Sequence, residues 1–317
     1  MKKLTPFSLI LFILWMSGFF AVMPSSTIQA VFDGQNNPGD APYINPSPRR
    51  TADPSSNVTS RTEPPGPPYS TPTVVLESAA VKTPFYQAQI IGYSVEGNAM
   101  WVYQFGDGPS AVMMVAGVHG GYEWNTVALM DQIIARLKRY PDLIPADNTL
   151  YILRVFNVDG YVRDKGDDGR LNSNGVDLNR NWKANWKDSW EGTECWSRRV
   201  VSAGTGPFSE PESQALRDFI LAHDIQALIN YHSAALGIFA GGPDDLESIR
   251  FAQTLAEVSN YRFPPYETDC EFTGQFVDWA SRQGIDAVDL ELSTHSRTDF
   301  AVNLIVLQEL LKWEKAD

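Results

Sequence analysis

Residues 115–125 read VAGVHGGYEWN. They continue an apolar run at 111–116 that has the length and composition of a β-strand, and apolar residues at helical spacing follow over 127–137. His119 and Glu123 therefore lie between a strand end and a helix, where α/β folds bind their ligands. An imidazole and a carboxylate also supply two of the three protein ligands of one common zinc site. The pair alone does not distinguish a metal site from chance, so other residues must decide.

Strand and helix patterns alternate from residue 75 to residue 317. Strand patterns lie at 89–94, 100–105, 111–116, 149–155, 225–231 and 287–290, and helical patterns at 123–139, 209–222, 245–259, 274–283 and 299–314. The first two strands flank a turn at 95–98 and form a hairpin. This order predicts a single α/β domain with a mixed, mainly parallel central sheet and helices on both faces.

Composition limits the classes of function. The chain has 317 residues, of which 43% are hydrophobic, so it can bury a large core. A formal net charge of −13 argues against nucleic acid as a partner, because phosphate binding needs clustered Lys and Arg. The two cysteines, Cys195 and Cys270, are too few for a disulfide framework. They form either one bridge or two buried thiols.

The first 74 residues predict export. Lys2 and Lys3 precede an apolar run at 7–23 and then polar and small residues, which is typical of a secretory signal peptide over residues 1–30. The predicted location is secreted, either extracellular or periplasmic (cell envelope). An uncleaved membrane anchor is the alternative, and only then would the protein meet a membrane. Residues 31–74 are rich in proline and show no periodicity, so we expect a disordered linker or pro-segment before a catalytic domain at 75–317.

A second histidine and a carboxylate stand at further strand ends. His232 follows the strand pattern at 225–231, and Glu291 follows the one at 287–290. Each alone could be a structural residue, but three such side chains at three strand ends favour a shared site. The other two of the four histidines are interpreted differently. His223 is predicted to cap a helix C-terminus, and His295 lies in a polar loop.

Two further glutamates are not predicted to be catalytic. Ser209-Glu210-Pro211-Glu212 has the pattern of a capping box, so Glu210 and Glu212 are interpreted as helix-start residues and not as catalysts.

The irregular stretch 156–208 contains a distinctive sequence motif at residues 170–182. Residues 170–182 read RLNSNGVDLNRNW, and long irregular segments in compact domains usually carry function. With this block, the chain resembles the carboxypeptidase A-like zinc metallocarboxypeptidases over residues 88–316. The further motifs that carry the resemblance are residues 91–97, the NVDG sequence at 157–160, His232-Ser233 and Glu291-Leu292.

The resemblance implies a role for each matching residue. His119, Glu123 and His232 would bind Zn²⁺ and leave a fourth position for water. Glu291 would be the general base that takes a proton from this water, and Arg170 would stabilise the oxyanion. Asn179 and Arg180 would bind the terminal carboxylate of the substrate, which a guanidinium can do bidentately.

Three departures from the family pattern stand out. One extra residue separates His119 from Glu123, and Gly120-Gly121 could absorb it in a loop. Val158 replaces the usual proline before Asp159-Gly160. The mobile tyrosine of many members has no clear match, since Cys270 falls near the aligned position and Tyr266 lies four residues earlier.

Specificity stays open at this level. Asp289 precedes Glu291 by two residues in a strand pattern, so both side chains point to one side of the sheet. Asp289 would favour a cationic substrate side chain, or it could be a buried hydrogen-bonded residue behind the site. Val277 could line the same pocket, which would favour apolar side chains.

The sequence thus predicts a secreted zinc metallocarboxypeptidase that hydrolyses the C-terminal peptide bond, with water activated by Glu291. Its partner would be a peptide with a free C-terminal carboxylate. Alternatives within the fold are a cell-wall (murein) peptide hydrolase, such as a γ-D-glutamyl-diamino acid peptidase, and an acyl-amino-acid deacylase. A non-catalytic carboxylate-binding module is the alternative from another class.

Overall fold

A buried strand, β3 (Ser110–Val115), lies at the centre of a mixed sheet. Its side chains alternate between two hydrophobic cores: Val112 and Met114 enter one, whereas Met113 and Val115 enter the other. A strand that is covered on both faces consists of apolar residues throughout, as this one does. The stretch 115–125 therefore leaves the sheet from a strand that is buried on both faces.

The computed structural model describes residues 85–188, 201–268 and 270–315. Within these ranges the other strands are β1 (Tyr86–Tyr93), β2 (Ala99–Phe105), β4 (Asn148–Leu153), β5 (Ile225–Ser233), β6 (Ile238–Ala240) and β7 (Asp286–Leu292). The helices are α1 (Trp124–Arg139), α2 (Val158–Arg163), α3 (Pro211–Ala222), α4 (Leu246–Ser259), α5 (Phe276–Arg282) and α6 (Phe300–Lys312).

The strand order in the sheet is β1-β2-β4-β3-β5-β7-β6. The four central strands β4, β3, β5 and β7 are parallel, and the strands outside them pair antiparallel. One core packs α1, α4 and α6 against the sheet, and the other packs α3 and α5 against the opposite face. The predicted fold class, a mixed and mainly parallel sheet with helices on both faces, is confirmed.

The strands that carry the site extend further than the sequence patterns indicated. His232 lies inside β5 and Glu291 lies inside β7, and the two residues are paired in register on neighbouring parallel strands. Residues paired in this way point to the same face of the sheet. The sheet itself therefore brings the second histidine beside the predicted general base.

The predicted capping box at the start of α3 is wrong. Glu210 occupies the N-cap position but makes no side-chain cap hydrogen bond. Instead the Asn172 amide donates to Glu210 Oε2 at 2.7 Å and to Glu212 Oε2 at 3.2 Å. Both carboxylates are buried and need donors, which the irregular loop supplies. At the other end of α3, the prediction that His223 is a C-cap is confirmed, with its Nδ1 2.7 Å from the Phe219 carbonyl oxygen.

The short elements α2 and β6 had no counterpart in the sequence patterns, because six and three residues are too few to show a period. Cys270 is disulfide-bonded. Cys195, the other cysteine of the chain, lies outside the described residues, as do the predicted signal peptide and proline-rich segment. Among the described helices, none combines the length and apolar character needed to cross a membrane.

Candidate active site

Three side chains predicted as zinc ligands converge at the carboxyl ends of β3 and β5. Oε1 of Glu123 lies 2.7 Å from Nδ1 of His119, and Oε2 lies 3.2 Å from Nδ1 of His232. One potential ligand atom from each residue lies within 4.8 Å of the other two, and all three residues are buried. The structure therefore brings the predicted trio together, including Glu123 after the extra residue.

The chemistry of this trio suits zinc. Two imidazoles and one carboxylate leave a coordination position open, as catalytic zinc sites require. Oε2 of Glu123 is buried and makes no hydrogen bond of good geometry with the described residues. A buried carboxylate oxygen in this situation is costly unless a cation compensates its charge. His119, Glu123 and His232 are thus the residues that could hold the metal.

Charge is concentrated around the trio. Burial alone would raise the pKa of Glu123, but the imidazoles of His119 and His232 outweigh it and hold the pKa well below its usual range. Burial alone would lower the pKa of His232, but the carboxylates of Asp289 and Glu123 raise it well above its ordinary value. The carboxylate of Glu123 thus stays ionised between the two imidazoles, and a bound metal would take the place of a proton.

Two glycines accommodate the extra residue. Gly120 has a φ of +47°, which glycine adopts without strain. A Cβ on Gly120 would lie 2.5 Å from the carbonyl oxygen of Gly169, and one on Gly121 only 1.7 Å from that of Asp164. The turn therefore packs directly on the backbone of the 160–169 loop. Because the turn is this compact, the side chain of Glu123 contacts His119 despite the extra residue between them.

A buried aspartate, Asp177, contacts the ring nitrogen of His119 opposite the one that faces Glu123. Oδ1 of Asp177 lies 3.1 Å from Nε2 of His119, and Oδ2 accepts a hydrogen bond from Arg170 at 2.9 Å. Burial alone would raise the pKa of Asp177, but Arg170 and His119 hold it well below the usual range. Asp177 belongs to the 170–182 block, in which the sequence patterns indicated no role for it. Its place two residues before Asn179 was the available signal.

The two residues predicted to bind a carboxylate lie in a short turn. Asp177 accepts a hydrogen bond from the backbone N–H of Asn179 at 2.9 Å. Arg180 is 2% exposed, its Nη1 donates to the carbonyl oxygen of Asn179 at 2.7 Å, and its guanidinium carbon lies 5.2 Å from the ring centre of Phe272. The same aspartate therefore orients both a trio histidine and this turn.

Asp289 lies on the same side as Glu291, as the two-residue spacing predicted, and both line one pocket. Asp289 accepts hydrogen bonds from the amides of Asn230 at 2.7 Å and Asn179 at 3.3 Å, and it lies 3.3 Å from Nε2 of His232. It is therefore both a pocket residue and a hydrogen-bonded one.

The expectation that Val277 lines this pocket is wrong. Val277 is 1% exposed and packs in the core on the α3 and α5 side of the sheet. The apolar walls of the pocket come from Leu236, Phe239 and Phe272 instead. These residues lie in segments whose position depends on tertiary packing, which strand periodicity does not reveal.

Glu291 is the carboxyl group suited to proton transfer. It lies in the same pocket as the trio, and its Oε2 makes no hydrogen bond with the described residues. Burial raises the pKa of Glu291 to about 8. A general base works best when its pKa is close to the working pH.

The pocket contains aromatic residues for which the sequence patterns indicated no role. Tyr266 is 53% exposed and does not line the pocket, whereas Phe272 does. Tyr122, which lies between the glycine turn and Glu123, also lines it. All eight residues predicted for the site line this one pocket: His119, Glu123, Arg170, Asn179, Arg180, His232, Asp289 and Glu291.

This arrangement has a match among known families. The family model described as zinc carboxypeptidase matches residues 75–309. The chain belongs to the zinc carboxypeptidase family. The resemblance inferred from the sequence is therefore confirmed, and so is zinc as the cofactor of its family, for which this member has a suitably placed trio.

A curated relative is similar to part of this chain. Carboxypeptidase A6 of Mus musculus is 30% identical over 232 residues, which cover 62% of this chain and 52% of the mouse protein. The chain thus spans about half the length of that relative.

Two solved structures share the fold, and at 22% and 24% identity they support the fold alone. The bovine thrombin-activatable fibrinolysis inhibitor, in complex with tick carboxypeptidase inhibitor, has a TM-score of 0.57 at 22% identity, over 72% of this chain and 88% of that chain. The murein-tripeptide amidase of Escherichia coli O157 has a TM-score of 0.53 at 24% identity, over 73% of this chain and 93% of that chain.

Proposed function

We propose that this protein is a zinc metallocarboxypeptidase that hydrolyses the C-terminal peptide bond of peptides. The observation that carries the proposal is one pocket that contains the metal-binding trio, Glu291 and the Asn179-Arg180 turn. A zinc hydrolase needs the first two features for the reaction. The buried guanidinium of Arg180 adds a partner for a negatively charged group, which a C-terminal carboxylate supplies.

Binding of the terminal carboxylate determines which peptide bond lies at the trio. The guanidinium of Arg180 pairs with the terminal carboxylate, and Asn179 precedes it in the same turn. Asn179 also lies 3.2 Å from His232, so the carboxylate-binding turn adjoins the trio. A terminal residue held there presents its peptide carbonyl to the metal-binding residues, which restricts cleavage to the last bond.

Proton transfer falls to Glu291. Its carboxylate takes a proton from the attacking water and returns that proton to the leaving amine. Arg170 donates hydrogen bonds to the oxygen on which negative charge develops. Zinc, when bound by His119, Glu123 and His232, polarises the carbonyl and lowers the pKa of water.

The pocket that receives the terminal side chain favours Lys and Arg. Phe239 and Phe272 provide apolar walls, and Asp289 adds a carboxylate on the side of Arg180. Long aliphatic stems pack on apolar walls while their cationic heads reach a carboxylate. We therefore assign Asp289 to substrate binding, in addition to its hydrogen bonds with Asn179 and Asn230.

The full chain, purified with zinc, should release the terminal residue from peptides that end in Arg or Lys. Peptides with the same sequence and a C-terminal amide should be poor substrates, because they offer Arg180 no carboxylate. Equal turnover of free and amidated peptides would overturn the proposal, as would the absence of turnover of every peptide.

A cell-wall peptide hydrolase is the second candidate. The likeness to a murein-tripeptide amidase extends over 93% of that chain, and the carboxylate of Asp289 would also suit the amine of a diamino acid. Cleavage of murein tripeptide in preference to peptides with C-terminal Arg or Lys would favour this function.

Export remains a prediction from residues 1–30, and the linker or pro-segment a prediction from residues 31–74, with the catalytic domain at 75–317. Intact-mass analysis of the mature protein tests both boundaries, because it shows whether the chain begins at Met1, near Val31 or near the start of the catalytic domain. A mass that includes residues 1–30 would indicate a retained anchor.

A further inference from the structure

Tyr122 is the large side chain that the extended turn between His119 and Glu123 brings into the pocket. The two glycines before it can hold no Cβ, because they pack on the backbone of the 160–169 loop. The position of Tyr122 is therefore determined on one side by this turn and on the other by Glu123. A tyrosine held so closely to the trio has a defined place relative to any bound substrate.

The pocket has two sides, which its contacts distinguish. On one side Asn179 lies 3.2 Å from His232, and Arg180 lies against Phe272. On the other side Tyr122 lies near Arg170, whose Nη2 is 2.9 Å from Nε2 of His119. His232 thus adjoins the first side, and His119 adjoins the second.

A bound peptide would span both sides. This step rests on the proposed function, in which Arg180 binds the terminal carboxylate. The terminal residue then occupies the side of His232 and Phe272. The residue before the scissile bond must extend past the trio toward His119 and Tyr122.

The surroundings of Tyr122 leave its phenol available. The ring centre lies 5.6 Å from the guanidinium carbon of Arg170 and 5.3 Å from the ring centre of His295, with the two rings tilted by 58°. His295 is itself placed by Ser233, whose hydroxyl lies 3.2 Å from Nδ1. Tyr122 is half-buried, and its hydroxyl makes no hydrogen bond to the part of the chain that the structure describes.

The neighbouring wall on this side consists of small side chains. Ser233 and Ala234 line the pocket next to His295. Tyr122 and His295 therefore present the large surfaces there, and both are flat rings. Flat aromatic rings pack favourably edge to face or offset against a further ring.

We propose that Tyr122 and His295 bind the side chain of the residue that precedes the scissile bond and select aromatic residues at that position. The tyrosine ring supplies the contact surface, and His295 closes the same side of the pocket.

The test compares peptides that share one C-terminal Arg and carry Phe, Leu or Gly before it. The wild-type full chain with zinc should have the highest kcat/KM for Phe. Replacing the ring, in Tyr122→Ala, should reduce the advantage of Phe over Gly by roughly 2- to 13-fold, the range for one aromatic pair. Tyr122→Phe should keep most of the preference, since the ring is retained, and His295→Ala should lose part of it.

Controls separate binding from folding. Each variant is assayed for zinc content, and Tyr266→Ala serves as the matched tyrosine outside the pocket. A preference that is the same in wild type and in zinc-loaded Tyr122→Ala would overturn this inference and leave the carboxypeptidase proposal intact. Absence of turnover of every peptide by the wild type would overturn the proposed function and this inference with it.

Discussion

His119 is held by carboxylates on both ring nitrogens: Oδ1 of Asp177 lies 3.1 Å from Nε2, opposite the 2.7 Å contact between Nδ1 and Glu123. A hydrogen bond donated from Nε2 to Asp177 would leave Nδ1, the ring nitrogen that faces Glu123, for a metal. Asp177 is fully buried and also accepts the backbone N–H of Asn179. One aspartate thus connects His119 with the turn that contains Asn179 and Arg180.

Asp177→Asn should weaken zinc binding by about 10- to 100-fold, because the charge that orients His119 is lost. Competition with a chelator measures the affinity. Asp131→Asn, a change in an exposed ion pair with Arg154, is the matched control. Unchanged zinc affinity in a folded Asp177→Asn protein would contradict the assigned role.

Glu291→Gln should lower kcat by about 100- to 10,000-fold, since a positioned general base contributes that much. Zinc content should stay at the wild-type level, because Glu291 is not one of the trio. Glu271→Gln changes an exposed glutamate and should keep full activity. A Glu291→Gln enzyme with full activity would rule out Glu291 as the base.

Gly121→Ala should destabilise the protein by about 1–3 kcal/mol, the usual cost of overpacking. The added Cβ would meet the carbonyl oxygen of Asp164 at 1.7 Å. The Tm should fall by about 2–4 °C for each kcal/mol in a domain of this size. Gly206→Ala places its Cβ in open space and should change the Tm much less. Equal melting temperatures for both variants would show that the turn can move away.

Arg180→Lys should reduce kcat/KM for free peptides by roughly 10- to 150-fold, the value of a charge-assisted hydrogen bond. A lysine keeps the charge but cannot form the bidentate contact. Steady-state kinetics on free and amidated forms of one peptide provide the measurement. The variant should lose activity on the free form and change little on the amidated form, so an equal loss on both would contradict carboxylate binding.

Asp289→Asn should reduce the preference for C-terminal Lys or Arg over Leu by at least about 10-fold, since a hydrogen bond to a charged group is worth about 1.5–3 kcal/mol. The substitution keeps the size of the side chain. Kinetics on three peptides that differ only in the last residue measure the ratio. If the ratio stays constant while zinc affinity falls, Asp289 acts on His232 and not on the substrate.

Much of the fold followed from residue patterns. The apolar run that ends before Gly117 is a strand, and it is apolar throughout because both of its faces are buried. The apolar residues at helical spacing after Glu123 form the buried face of α1. Such patterns report which side of an element avoids water. They do not report which element covers it, and Val277, a candidate for the pocket wall, packs in the core.

The glutamates of α3 illustrate the same limit. Glu210 and Glu212 stand where a capping box predicts local hydrogen bonds, yet their partner Asn172 lies 38 and 40 residues away along the chain. A buried carboxylate takes the donors that tertiary packing supplies, and local sequence does not reveal them.

The sequence by itself located the candidate site residues of this protein, because His119, Glu123, His232 and Glu291 stand at strand ends or next to a helix start, and local patterns locate such positions. The tertiary structure alone decided how these groups are supported and what surrounds them. Asp177 meets His119 across 58 residues of chain, and Tyr122 faces His295 from a different segment. Contacts of this kind depend on how separate elements pack, and periodicity within one element carries no information about them.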